Sequence, residues 1–242
     1  MKEKLQKAKA SGSTRSKSEE TRNRILDTAL ELFRRDGLDQ TTMRQIATEC
    51  RVALGAAYYY FPSKDALVMA FYERAQFELE PILVQELSRH KGVEARLRAL
   101  IQEKFRYFQP NRALMGKLSA HIDPRHPLSP FSNETRTIRE QDIRWFARVL
   151  ESPGVRVSPE LHALLPQILW LYQMGLLLFW VYDRSPQQRK TMELFDGSLA
   201  IVALLIKLIG LPFMKSVRKR LVGLMETLTE SPAKPLAAQG QK

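Results

Sequence analysis

Apolar residues recur along this chain at intervals of three and four, the spacing that gathers them on one face of an α-helix. Ile25, Ala29 and Phe33 fall at i, i+4 and i+8 with Leu26 and Leu30 beside them, and Gly37 stands where a helix C′ residue is expected. Thr42-x-x-Gln45 has the form of a capping box, opening a short helix that turns Ile46 and Ala47 inward. A break at Cys50, Arg51 and Val52 separates it from a second short helix over about 54–60. Pro62 ends that helix, and Ser63 is placed to cap a long one over about 64–88. The same period predicts helices near 94–108, 112–121, 132–151, 159–183, 187–210 and 213–229. Prolines at 124, 127 and 130 make the stretch between two of them a loop. No run alternates with the two-residue period of a strand, so the chain reads as all-α.

Composition narrows this picture. With 44% hydrophobic and 26% charged residues in a chain of 242, wholesale disorder is excluded. A single cysteine, Cys50, rules out an intrachain disulfide and a thiolate zinc site, and is read as a small buried hydrophobe. The formal net charge is +12, and the first 24 residues carry eight Lys/Arg against three Glu. Residues 1–19 are expected to be a disordered basic leader suited to a polyanion, and residues 230–242 a loose tail. The leader has no apolar stretch of the kind a secretory signal needs, so the expected location is the cytoplasm.

Helix, short helix, tight turn, short helix is the arrangement that places a final helix in the major groove of DNA. Three consecutive tyrosines, Tyr58, Tyr59 and Tyr60, point about 100° apart on such a helix, so one core cannot take all of them. Their hydroxyls can reach sugar and phosphate. Lys64 stands at the start of the next helix, where ammonium and free backbone N–H groups together attract a phosphate. Thr42 and Arg44 occupy the first turn of the preceding helix. The segment Thr41-Thr42-Met43-Arg44-Gln45-Ile46-Ala47, followed by Gly55-Ala56-Ala57-Tyr58-Tyr59-Tyr60-Phe61-Pro62-Ser63-Lys64-Asp65-Ala66-Leu67, closely resembles the TetR family of bacterial transcription regulators. The resemblance covers about residues 20–68. It implies a DNA-binding head over 20–66 and a helical dimerisation and ligand-binding domain over 67–229. It also implies phosphate contacts by Tyr58 and Lys64, base-edge or groove-wall positions at Ala56 and Tyr59, and core positions at Phe61 and Leu67. The sequence departs from the family at Arg51, where the turn often has glycine, at Ala53, where Ser or Thr often caps, and at Leu54, which is often polar or basic. Leu54 and Ala56 offer only apolar contact, for instance to a thymine methyl, so DNA shape and the basic leader are expected to carry more of the recognition.

Residues 164–182 are apolar or aromatic except at Pro166, Gln167, Gln173 and Gly175, nearly long enough to cross a bilayer. A second run, 199–214, is interrupted at Lys207, Gly210 and Pro212. A membrane-associated protein is one reading; the favoured one is a homodimer whose partner covers these helices, because the resemblance implies pairing through the last long helices. Two heads then enter successive major grooves of a roughly palindromic operator. By the same resemblance the middle helices enclose a pocket for a small apolar or aromatic effector. No residue is singled out for it, since Phe and Met stripes at helical spacing are more often plain core. His121-x-Asp123-x-x-His126 lies in a proline-rich loop and is not read as a metal site. No catalytic or cofactor signature is found, and no cofactor is expected. The chain therefore reads as a homodimeric, sequence-specific DNA-binding regulator, a repressor released by its ligand and not an enzyme. An activator and a ligand-blind regulator are the alternatives within that class.

Overall fold

The computed structural model describes residues 2–152 and 158–210, together with 214, 216, 217, 219, 220 and 223. Among these residues there are nine α-helices and no strand: α1 (Lys2–Arg35), α2 (Met43–Glu49), α3 (Leu54–Tyr60), α4 (Lys64–Arg89), α5 (Val93–Phe108), α6 (Arg112–Leu118), α7 (Arg136–Leu150), α8 (Pro159–Tyr182) and α9 (Arg189–Ile209). The helix expected over 213–229 falls largely, and the tail wholly, outside the described residues.

Local sequence accounts for most boundaries. Gly37 adopts φ +88, which ends α1 and lets the chain turn back. The Thr42–Gln45 capping box forms in both directions: Gln45 N donates to Thr42 Oγ1 at 3.2 Å, and Thr42 N donates to Gln45 Oε1 at 2.8 Å. Ser63 caps α4 by accepting from Ala66 N at 3.1 Å.

Two boundaries differ most from expectation. The first is the leader, where α1 begins at Lys2, so residues expected to be disordered continue the helix. Lysine and the other good helix formers of residues 2–10 favour this, and a helix already nucleated by the buried Ile25–Phe33 stripe extends through the intervening Ser and Gly without a second nucleation cost. The second is α7, which starts at Arg136 and not near 132. Before it, Thr135 Oγ1 donates to Ser129 O at 2.6 Å and Ser132 Oγ to Pro127 O at 3.0 Å, so the buried turns of this loop are held by side-chain hydroxyls.

Helix α4 is the spine. Leu67, Val68 and Phe71 on its first half are buried with the head, and Leu79, Leu83 and Leu87 on its second half are buried with the larger domain. It packs on α1, α5 and α7. Deep in that domain, Lys104 of α5 is ion-paired with Asp142 of α7 and donates to Gln173 Oε1 of α8 at 2.9 Å. Gln173 Nε2 closes the ring by donating to Asp142 Oδ2 at 3.1 Å. All three residues are buried. Burial pushes the Lys104 ammonium pKa down, and the adjacent Asp142 carboxylate opposes that shift.

Among the described residues one helical stretch, Leu161–Tyr182, is long and apolar enough to cross a membrane. Its environment is two-sided. Leu161, Leu165, Leu169, Trp170, Gln173, Leu176 and Trp180 are buried within the domain, whereas Leu171, Leu178, Phe179 and Tyr182 are exposed. On α9, Ile201, Leu204 and Leu205 are exposed as well, each by more than half.

Replacing Lys104 alone by Met strands a buried carboxylate, and is expected to lower unfolding stability by about 3–5 kcal/mol. The paired change Lys104→Met with Asp142→Leu removes both charges and is expected to be neutral or stabilising, by up to about 4 kcal/mol. Urea denaturation of the two variants reads the difference.

Candidate nucleic-acid interface

The head is assembled around Ile25, Leu26, Ala29, Phe33, Ile46, Ala57, Phe61 and Leu67, all at most 3% exposed. Phe61 and Leu67 thus sit in the core, as the resemblance implies. Cys50 is buried at the end of α2. The Arg51 turn between α2 and α3 has φ +56, a left-handed conformation that costs a non-glycine residue roughly 1–2 kcal/mol, which explains why glycine suits this position.

Helix α3 is two-sided. Ala57 is fully buried, and Leu54, Ala56 and Tyr60 are half-buried. Gly55, Tyr58 and Tyr59 lie at i, i+3 and i+4 and form the outward stripe, with Tyr58 47% and Tyr59 82% exposed. Tyr59 meets Tyr60 edge-on at 5.2 Å between centroids. Tyr60 is turned back toward α1, its hydroxyl 3.2 Å from Ser18 Oγ. A Cβ added at Gly55 would meet nothing within 4 Å, so the protein itself makes no demand for glycine there. At the start of α2, Thr42 and Arg44 are exposed, and the Arg44 guanidinium makes no hydrogen bond or ion pair among the described residues.

Two expected positions acquire structural duties. Leu54 packs in part against the core, which removes much of its surface from any role on DNA. Lys64 donates to Leu38 O at 2.7 Å and to Asp39 O at 3.3 Å, clamping the turn after α1 to the start of α4. An ammonium has three N–H groups, so one remains for a phosphate. Asp39 in turn pairs with Lys117 of α6 at 2.8 Å, which holds the carboxyl below its usual range. Arg34 donates to Asn111 Oδ1 at 3.3 Å beside it. These contacts tie the head to the larger domain through α6, and the linear sequence carries no sign of them. The seven expected contacts therefore divide. Thr42, Arg44, Tyr58 and Tyr59 are outward; Ala56 and Leu54 are partly covered; Lys64 is shared between the turn and solvent.

Comparison with known proteins places this geometry. Residues 25–71 match the pattern described as bacterial regulatory proteins of the tetR family, and residues 96–221 match the tetracyclin repressor-like C-terminal domain. The chain belongs to the TetR family. The transcriptional regulator SrpR of Pseudomonas putida is 35% identical over 88 residues, 36% of this chain and 41% of that protein. The chain spans between 16% and 41% of the length of the first curated relatives it matches. Over the whole fold, FadR of Bacillus subtilis, solved with stearoyl-CoA, superposes with a TM-score of 0.59 at 16% identity, covering 74% of this chain and 96% of that one. FadR of Thermus thermophilus, a TetR-family repressor solved with lauroyl-CoA, gives 0.58 at 19% identity over 90% of this chain and 100% of that one. The TetR-family head and the TetR-family helical domain are thus both present here, joined through α4.

Ala53 is the N-cap of α3 and makes no side-chain capping bond. Ala53→Ser is expected to stabilise the head by about 1 kcal/mol, read as a raised urea midpoint. Lys64→Ala frees the 38–39 turn and is expected to cost about 1–3 kcal/mol by the same measurement.

Proposed function

We infer that this TetR-family chain is a homodimeric, sequence-specific DNA-binding transcription regulator of the cytoplasm, a repressor that a small apolar or aromatic ligand releases. The observation that carries the reading is the outward stripe of α3. Two adjacent tyrosines and an open glycine face solvent on a short helix whose other side is locked into the head core. Nothing in the packing of the head calls for exposed aromatic surface at that place, while DNA offers phosphates, sugars and a groove wall to it. The acyl-CoA esters named with the two FadR structures give precedent, within the same fold, for a ligand with a long apolar portion.

A two-fold partner fits the exposed residues of α8 and α9. Leu178, Phe179, Ile201, Leu204 and Leu205 form an apolar surface that a monomer in water would leave uncovered. The membrane reading of α8 is disfavoured by its inner side, where Gln173 holds a buried ion pair between two other helices. Ligand binding reduces operator affinity only as far as it favours one arrangement of the two heads over the other.

The reading is tested by fluorescence anisotropy on a duplex from the upstream region of its own gene and on scrambled DNA, across a salt series. Tighter binding to the upstream duplex that persists at high salt is expected. Tyr58→Ala should weaken binding on both duplexes, and Lys64→Ala should also lower the salt slope by about one. Equal, steeply salt-dependent binding to both duplexes refutes sequence reading on that fragment. Leu205→Glu is expected to convert the dimer to a monomer in sedimentation velocity and to lower operator affinity with it.

A further inference from the structure

Helix α1 is longer than the head needs. Its buried stripe begins at Ile25 and so does the tetR-family pattern, which leaves residues 2–24 of the helix outside both. Two contacts one turn apart fix where this leading part leaves the head. Ser18 Oγ lies 3.2 Å from the Tyr60 hydroxyl at the end of α3. Four residues on, the Arg22 guanidinium stands over the Phe61 ring at 5.0 Å and comes within 3.9 Å of the Glu73 carboxylate on α4. The helix therefore passes the end of α3, whose Tyr58 and Tyr59 face outward, and residues 2–17 continue beyond that point. At 1.5 Å per residue the continuation is about 24 Å long.

Residues 2–17 carry six Lys/Arg against one Glu. Counted back from Ser18, positions i−4, i−7, i−11 and i−14 hold Thr14, Ser11, Lys7 and Lys4, a single stripe in register with the residue that meets α3. Lys2 and Lys9 fall on the opposite side of the helix. Lysine ammonium and Ser/Thr hydroxyl groups are donors that phosphate oxygens accept from. One strand of B-DNA offers a phosphate about every 3.4 Å of axis, so a rod of about 24 Å spans roughly seven of them. We propose that the leading part of α1 lies as a helical rod along the phosphates beside the groove that α3 enters, with the Lys4, Lys7, Ser11 and Thr14 stripe toward the DNA. The proposal deepens the DNA-binding reading above and rests on it, adding a second contact surface built from residues outside the family pattern. Its exit beside the outward tyrosines favours DNA over another polyanion such as an anionic membrane. Like charges crowded on one rod repel, and phosphates relieve that repulsion on binding. Phosphate contacts carry no sequence information, so the rod strengthens binding to any duplex while α2 and α3 do the reading.

The test uses the full-length protein and two double variants of equal net charge, Lys4→Gln with Lys7→Gln and Lys2→Gln with Lys9→Gln. Anisotropy across a salt series gives affinities on the upstream duplex and on scrambled DNA. The Lys4, Lys7 variant is expected to lower the slope of log affinity against log salt by about two per head on both duplexes. The Lys2, Lys9 variant is expected to lower it by less than half as much. Ala8→Pro keeps every charge but interrupts the helix, and is expected to weaken low-salt binding as far as the Lys4, Lys7 change does. Hydroxyl-radical cleavage of the upstream duplex is expected to show backbone positions that the wild-type protein protects and the Lys4, Lys7 variant leaves open. All these changes lie outside the head core, so the thermal midpoint should stay where it is. Equal losses from the two lysine pairs, or full affinity in Ala8→Pro, describe a loose arm acting by net charge and overturn the rod. Unchanged slopes in both pairs overturn the contact itself. Weaker binding to phosphatidylglycerol vesicles by those same variants would then assign the leader to a membrane. Equal wild-type binding to the two duplexes, with the Lys4, Lys7 slope change intact, sinks sequence reading and leaves the leader contact standing. A protein that binds no duplex overturns both.

Discussion

An ammonium group cannot be taken out of water alone. The cost of burying one far exceeds what a single packed helix supplies, so the position of Lys104 dictates that a carboxylate and further hydrogen-bonding groups meet it. Asp142 and Gln173 do so from two other helices, and Gln173 Nε2 also donates to Asp142 Oδ2. Three helices distant in sequence are thereby fixed in one register. Apolar side chains could slide past one another by a turn at modest cost, whereas this ring of three bonds closes in one arrangement only.

From that fixed centre the fold transmits position outward through two elements. Helix α4 runs from the core of the larger domain to the clamp that Lys64 makes on the 38–39 turn. Helix α6 supplies a second tie. Arg112 at its start donates to Trp180 O at 3.0 Å at the end of α8, and Lys117 at its end reaches Asp39 in the head. The contact through α6 is exposed and weak, on the order of 0–1 kcal/mol for a surface pair. The contact through α4 is covalent and packed on both sides. Of the two ties between the larger domain and the head, α4 is therefore the stronger.

The head shows how one short helix can serve two masters. Half of α3 is core, and the other half faces outward. Tyr60 illustrates the first duty, with its hydroxyl held by Ser18, and Tyr59 the second. The strained Arg51 turn and the uncapped Ala53 both lie at the entrance to this helix. Their combined cost is paid by the surrounding core, which is why single substitutions there are expected to raise stability.

Much of this was legible in the chain itself. Helical period, the Thr42–Gln45 box, Gly37, Ser63 and the proline loop determined the all-α class and the order of the helices, because these are local effects in which a few neighbouring residues decide the backbone. The outward tyrosines were legible for the same reason, since adjacent residues on a helix must diverge. Even the buried ring left a trace: Lys104 stands at i+7, i+4 and i+3 from Leu97, Leu100 and Ile101, and Asp142 at the matching distance before Trp145, Phe146 and Val149. A charge on an apolar stripe signals burial, but one stripe does not say which other stripe answers it. Tertiary structure alone decided that Lys104 meets Asp142 and Gln173, that Lys64 spends two bonds on the 38–39 turn, and that Leu54 is half-covered. Those pairings join residues 25 to 69 positions apart, and they are chosen by the packing of whole helices, a property that no local window of the sequence contains.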